Sequence, residues 1–296
     1  MTTKRAVCVG INEFINLPRA NWLYGCVNDA NDMAAFLKSK YGFGPRDVTV
    51  LTDAKATKAA VMGKLESIVR LAEQGKVTHI VFTYSSHGTQ VPDTNGDEPD
   101  RADEAFVAYD IAQAGDHWDP NTVIVDDELA ALFARVPAGV LVEAYLDTCH
   151  SGSGLKAMDL LAGRRPKFLP PPTPVGLDDV TERSVTPFAE GVARGVKQPK
   201  FRPGKAMSNG PRGLAKPAAP ILFAACRSDQ TSSDATFNSR PNGAFTYYLL
   251  KELKRKASAS RAELLTAIRG DLKASRYDQV PQLECPPAVK KTKVGV

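Results

Sequence analysis

The sequence predicts an α/β fold, a mostly parallel sheet with helices on both faces. Three observations carry this. Short apolar, β-branched runs bounded by turn residues alternate with segments whose apolar residues recur at helical spacing, the pattern of parallel strands joined by crossover helices. A length of 296 residues with 43% hydrophobic content is enough to bury a full core, and a single domain accounts for it. Glycine-containing turns close two of the strand runs, at the strand ends where α/β proteins place their sites.

In chain order, RAVCVGI (5–11) reads as the first strand and VNDANDMAAFLKSKYG (27–42) as the helix after it. DVTVLTD (47–53) is the next strand, followed by a helix over 57–76 that Thr57 caps and Gly75 closes. THIVFTYS (78–85) and VLVEAYLD (140–147) are buried strands, with DDELAALFARV (126–136) a helix before the second. PILFAAC (220–226) is a strand, and 244–256 and 260–275 are two more helices.

Composition narrows the function classes. The net charge of +5 is mild, and Lys and Arg are spread along the chain without regularly interleaved aromatics, so no nucleic-acid partner is expected. Five cysteines at wide spacings, with no CxxC pair, indicate neither a disulfide framework nor a zinc ribbon and suit a reducing compartment. The apolar run near the N-terminus is too short for a signal peptide, and no run approaches the ~18 apolar residues of a membrane span, so a soluble, cytoplasmic protein is expected. GINEF after the first strand is no GxGxxG, and no organic cofactor is expected.

Two strand ends hold the unusual chemistry. THIVFTY runs into Ser85-Ser86-His87-Gly88, and VLVEAYLD into Thr148-Cys149-His150-Ser151-Gly152. If these strands are parallel neighbours, His87 and Cys149 emerge on one edge, where imidazole takes the thiol proton and thiolate attacks a carbonyl. Gly88 and Gly152 allow tight turns, so the backbone N–H groups of Gly88 and Cys149 can face a developing oxyanion. Alone, His87 reads more readily as a loop histidine and Cys149 as a small buried apolar residue; together, at two strand ends, they favour a dyad. His150 is the rival base, but neighbours in an extended segment point apart, which assigns it to structure.

YSSHGTQVPDTNGDEPDRADEAFVAYD and YLDTCHSGSG resemble the two catalytic motifs of the metacaspases, caspase-like cysteine peptidases that include bacterial orthocaspases. RAVCVGINEF, LYGCVNDANDMAAFL, VIVDDEL, FAACRSDQTSSD and NGAFTYYLL resemble further family segments in the same order. The resemblance implies a caspase-like fold with a six-stranded sheet. It also implies one domain over 1–296: a large part, 1–154, with the dyad, a Pro-rich basic linker, 155–219, and a small part, 220–296. Ser86 stands where the family has Gly, and the caspase signature Gln-Ala-Cys-Arg/Gln/Gly-Gly is replaced by Asp-Thr-Cys-His-Ser-Gly.

Asp29, Ser85 and Asp147 match the family's pocket for the side chain before the scissile bond, which implies cleavage after Arg or Lys. Two carboxylates suit a guanidinium or ammonium and reject an acidic side chain. Asp29 reads alternatively as a carboxylate answering its helix dipole. The acidic stretch after His87 is, by composition, solvated surface. By resemblance, Asp103, Asp126 and Asp127 hold a regulatory calcium ion, with Asp159 the nearest fourth ligand. The 155–219 linker holds ten of the 21 prolines and twelve basic against five acidic residues, the composition of an exposed segment. Its Arg164-Arg165, Arg183, Arg194, Lys197, Lys200, Arg202 and Lys205 suit the acidic pocket, so self-cleavage there is expected. The expectation is thus a cysteine endopeptidase acting on polypeptides after Arg or Lys, monomeric by resemblance. The other class is a non-catalytic caspase-like scaffold or regulator.

Overall fold

In the computed structural model, which describes residues 3–94, 102–150, 163–175 and 220–295, every apolar run becomes a strand. Along the first half lie β1 (Lys4–Gly10), β2 (Val48–Thr52), β3 (His79–Ser85), β4 (Gly88–Pro92), β5 (Ala102–Val107), β6 (Gln113–Ala114), β7 (His117–Trp118), β8 (Val123–Val125) and β9 (Leu141–Asp147). Then follow β10 (Arg165–Pro166), β11 (Ile221–Ala224), β12 (Ser233–Phe237), β13 (Arg240–Gly243) and β14 (Gln282–Glu284). The helices are α1 (Cys26–Lys40), α2 (Lys58–Glu73), α3 (Asp126–Phe133), α4 (Ala244–Arg255) and α5 (Arg261–Ala274).

The central sheet has six strands in the order β14-β11-β9-β3-β1-β2. Every pairing in it is parallel except that of β11 with β14. Alternation along a strand explains why helices cover both faces. Val7 and Val9 of β1 and Ile80 and Phe82 of β3 pack with α2 and α3 residues such as Leu65, Ile68 and Phe133. Ala6, Cys8 and Val81 face the other way, toward Met33 and Leu37 of α1, Leu249 of α4 and Ile268 of α5. Thr57 caps α2 as expected, its hydroxyl accepting from Ala60 N at 3.2 Å, and Ser260 caps α5 with Glu263 in a capping box.

Sequence reading missed β14, a three-residue antiparallel edge strand, because so short a run between Pro281 and Pro286 carries no readable period. It also missed the small sheets β4-β5-β8 and β10-β12-β13, which flank the strand ends where His87 and Cys149 lie. At the opposite end of the sheet, Glu143 of β9 is buried with His79 at 3.0 Å and Arg261 at 2.6 Å. Burial opposes its ionisation, but those two cationic or hydrogen-bonding partners outweigh it and hold the carboxyl below its usual range. No described helix is long and apolar enough to cross a membrane.

Candidate active site

The register of β3 on β9 brings the two motifs together. Ser85 lies opposite Asp147 in the parallel ladder, so His87 and Cys149, each two residues further on, leave the sheet at equivalent places on neighbouring strands. Gly88 closes the approach: a Cβ there would stand 2.2 Å from the Cys149 carbonyl oxygen, which no side chain can do. His87 is buried and stacks at a tilt on Phe14, ring centres 5.3 Å apart. Its Nε2 lies 2.7 Å from the Asn21 carbonyl oxygen. A carbonyl only accepts, so Nε2 carries the proton and the Nδ1 lone pair is left to act as a base. Burial pushes the imidazole down to about 4, helped by the Lys167 and Arg165 cations and opposed by the Asn21 carbonyl, so it is neutral at physiological pH.

Cys149 is fully buried, its thiol donating to the Gln230 carbonyl. Cys226 reaches the same oxygen at 3.4 Å, and the Cys149 thiol together with burial raises its pKa. Ser86 fits without strain by donating to the Val107 carbonyl at 2.9 Å. His150 packs edge-on against Phe106 at 4.9 Å and lies 3.9 Å from Glu104.

Asp29, Ser85 and Asp147 meet in one buried pocket. The Asp29 carboxylate faces β13 and accepts from Gly243 N at 2.9 Å, Asn242 Nδ2 at 2.9 Å and Ser85 Oγ at 2.7 Å. Asp147 accepts from Thr246 N and Oγ1 at 3.0 and 2.7 Å and from Ser232 Oγ at 2.7 Å. Both carboxylates hold the ammonium of Lys167, at 3.3 and 3.1 Å, and Ser85 Oγ completes its shell at 2.8 Å. Burial would lower the Lys167 pKa, but Asp147 and Asp29 outweigh it and the cation is retained. Burial also lifts Asp29 to about 7, Asp147 adding to the rise and Lys167 opposing it.

The backbone around Lys167 lies in the groove as a bound peptide would. Gly88 N–H donates to the Lys167 carbonyl at 2.9 Å, Lys167 N–H to Ser232 O at 2.9 Å, and Leu169 N–H to Gly88 O at 2.8 Å. Upstream, β10 pairs antiparallel with β12, Arg165 opposite Asp234, and the Arg165 guanidinium lies over the Tyr24 ring, 4.4 Å from its centre. The expected exposed linker therefore does not hold for its residues 164–169, which are buried or half-buried: two carboxylates and a ladder of backbone hydrogen bonds bind this stretch down. Residues 176–219, with six of the basic residues expected as cleavage points, lie outside the described residues.

Of the carboxylates matched to calcium, Asp103 lies on β5 and Asp126 and Asp127 open α3. Burial pushes the Asp126 carboxyl up to about 8, and the charges of Glu104, Asp127 and Asp103 add to the rise. Among the described residues no three His, Cys, Asp or Glu side chains are arranged to hold one ion, and Asp159 lies outside them. The site also contains residues the sequence did not single out, namely Lys167, Ser232, Gln230, Thr246 and Gly243. A Cβ on Gly243 would stand 2.2 Å from both Asp147 Oδ2 and Lys167 Nζ, a constraint with no local signature.

Comparison with known proteins bears on the family and the fold. The profile of the caspase domain matches residues 3–292. The chain is 31% identical to Metacaspase-1 of Coccidioides immitis over 95% of its own length and 61% of that protein's. It is 30% identical to Metacaspase-1A of Aspergillus niger over 95% of its length and 70% of that protein's. Against the first of these, the chain thus spans about three fifths of the relative's length. Among solved structures, a protein from Geobacter sulfurreducens superposes with a TM-score of 0.63 at 24% identity, covering 99% of this chain and 98% of its own. Caspase-1 of Spodoptera frugiperda does so with a TM-score of 0.54 at 14% identity, covering 96% and 86%. The chain belongs to the caspase-domain family of cysteine-type peptidases.

Proposed function

We propose that the protein is a cysteine endopeptidase that cleaves polypeptides after Lys or Arg, through His87 and Cys149, and that it cuts its own chain between Lys167 and Phe168. One observation carries the reading: the Lys167 ammonium lies between Asp29 and Asp147 while its carbonyl oxygen accepts from Gly88 N–H. That is the binding mode of a substrate residue, side chain in an acidic pocket and reacting carbonyl on an oxyanion donor.

The chemistry follows from the groups present. His87 Nδ1 takes the Cys149 proton, and the thiolate attacks the carbonyl carbon. The oxygen gains charge and is held by the N–H groups of Gly88 and Cys149. The tetrahedral adduct collapses with the proton returning from His87 to the departing amine, leaving a thioester that water, activated by the same imidazole, hydrolyses. Self-cleavage after Lys167 leaves the fragments joined through the sheet, because β9 of one pairs with β11 of the other. Until that cut, residues 164–169 compete with any second substrate.

Calcium regulation through Asp103, Asp126 and Asp127, with Asp159 beyond, belongs to the same reading. Burial is the larger cause of the rise at Asp126, and what supports the reading is the smaller part contributed by the neighbouring Glu104, Asp127 and Asp103 charges, since a cation relieves such repulsion. The test is hydrolysis of matched fluorogenic peptides ending in Arg, Lys or Asp by wild type and Cys149→Ala, with calcium and with chelator. Arg and Lys peptides are expected to be cut, the Asp peptide by at least about 10²-fold less because its carboxylate would meet two others, and Cys149→Ala to be silent. Cleavage after Asp, or activity surviving in Cys149→Ala, sinks the reading; silence on every peptide points to a scaffold. Indifference to chelator removes calcium from the reading and leaves the peptidase.

A further inference from the structure

The groove holds a second cation seat, beyond the pocket for the residue before the scissile bond. Arg164 lies three residues before Lys167, and its guanidinium stacks on Tyr277, 3.9 Å from the ring centre. The same guanidinium donates from one nitrogen to the Arg276 carbonyl at 2.7 Å and from another to the Ser275 carbonyl at 3.0 Å. We propose that Tyr277 and the Ser275 and Arg276 carbonyls form a guanidinium subsite that selects substrates with arginine three residues before the cleaved Lys or Arg. This rests on the peptidase reading above.

The seat is built by the fold rather than by its occupant. Helix α5 ends at Ala274, and Arg276 takes a left-handed φ of +60° while Tyr277 N–H closes back on Leu272 O at 2.9 Å. That turn leaves the Ser275 and Arg276 carbonyls at the negative end of the helix dipole, where a cation is favoured. The Tyr277 ring is held by its own neighbours, stacked on Phe237 at 6.2 Å and set edge-on to Tyr248 at 6.3 Å. Tyr248 in turn is anchored by its hydroxyl 2.6 Å from Ser275 Oγ. A flat ring face beside two successive carbonyls matches a planar guanidinium with several donors. An ammonium cannot stack and fork at once, and a carboxylate meets only oxygen lone pairs. The substrate class is therefore a polypeptide segment with two separated basic residues, Arg-x-x-Lys or Arg-x-x-Arg.

The test compares fluorogenic Arg-Arg-Pro-Lys and Ala-Arg-Pro-Lys peptides on the full chain. Both meet the same competition from residues 164–167, so the ratio of their kcat/KM isolates this position. The Arg peptide is expected to be favoured by about 5- to 10-fold, the worth of one partly exposed cation–π contact and its hydrogen bonds. The ratio should fall by about half or more in Tyr277→Leu, which removes the ring but leaves the two carbonyls, and survive in Tyr277→Phe. Equal kcat/KM in wild type, or a preference undiminished in Tyr277→Leu, overturns the subsite. Hydrolysis of neither peptide counts against the peptidase reading, and the seat is then decided without catalysis. In Cys149→Ala protein, Arg164→Ala should speed amide hydrogen exchange across 163–169 by a similar about 5- to 10-fold, and unchanged exchange overturns it.

Discussion

Gly243→Ala is expected to cut hydrolysis after Lys or Arg by on the order of 10²-fold or more while the protein stays folded. Gly243 has φ −66° and ψ 133°, an extended conformation open to any residue, so alanine strains no backbone. What it lacks is room. The added methyl would lie 2.2 Å from Asp147 Oδ2 and from the Lys167 ammonium, and 2.7 Å from Asp29 Oδ2. It therefore occupies the space of the substrate's own cation, and the scissile carbonyl is displaced from Gly88 N–H with it. Circular dichroism and the thermal midpoint are read beside kcat/KM. Wild-type hydrolysis in a folded Gly243→Ala protein would show that Asp29 and Asp147 do not receive the substrate side chain.

Asp29→Asn is expected to lower kcat/KM on Lys and Arg peptides by roughly 10²- to 10³-fold, the usual cost of removing one member of a buried charge pair. It should also remove a pH limb. The Asp29 carboxyl is lifted to about 7 by burial and the Asp147 charge, against the opposing Lys167 cation. It must be ionised to pair with a substrate cation, so wild-type kcat/KM should climb with pH through about 7 before it levels off. Release of Lys167 from the pocket moves the limb upward, because its cation is what holds Asp29 down. His87, pushed down to about 4 by burial, is already neutral across this range and supplies no limb there. A limb near 7 that persists in Asp29→Asn would belong to another group and contradict the assignment.

How far the site was legible in the sequence depended on whether its signal was local. His87 and Cys149 were readable because each follows an apolar run and precedes a glycine-containing turn, and the parallel register then aligns them through Ser85 and Asp147. The two-faced sheet was readable for the same reason, since alternation in β1 and β3 assigns successive residues to opposite cores. Lys167 was not, being one of twelve basic residues in a linker without periodicity. Its difference from Arg164 or Arg165 is only that the groove aligns its backbone with Gly88 and Ser232. Gly243 was hidden because its role is an exclusion set by three side chains from distant parts of the chain. Resemblance supplied Asp29 as a pocket residue; in the structure it lies in the first turn of α1, and its carboxylate accepts from Asn242 and Gly243.

The central claim is that Lys167 lies in the groove as a substrate. Its most direct test is the mass and N-terminal sequence of the fragments formed when purified wild-type, Cys149→Ala and Lys167→Gln proteins are incubated with calcium. A new fragment beginning at Phe168, formed by wild type and by neither variant, is expected. A cut at another bond first, or the same fragment from Cys149→Ala, would contradict it.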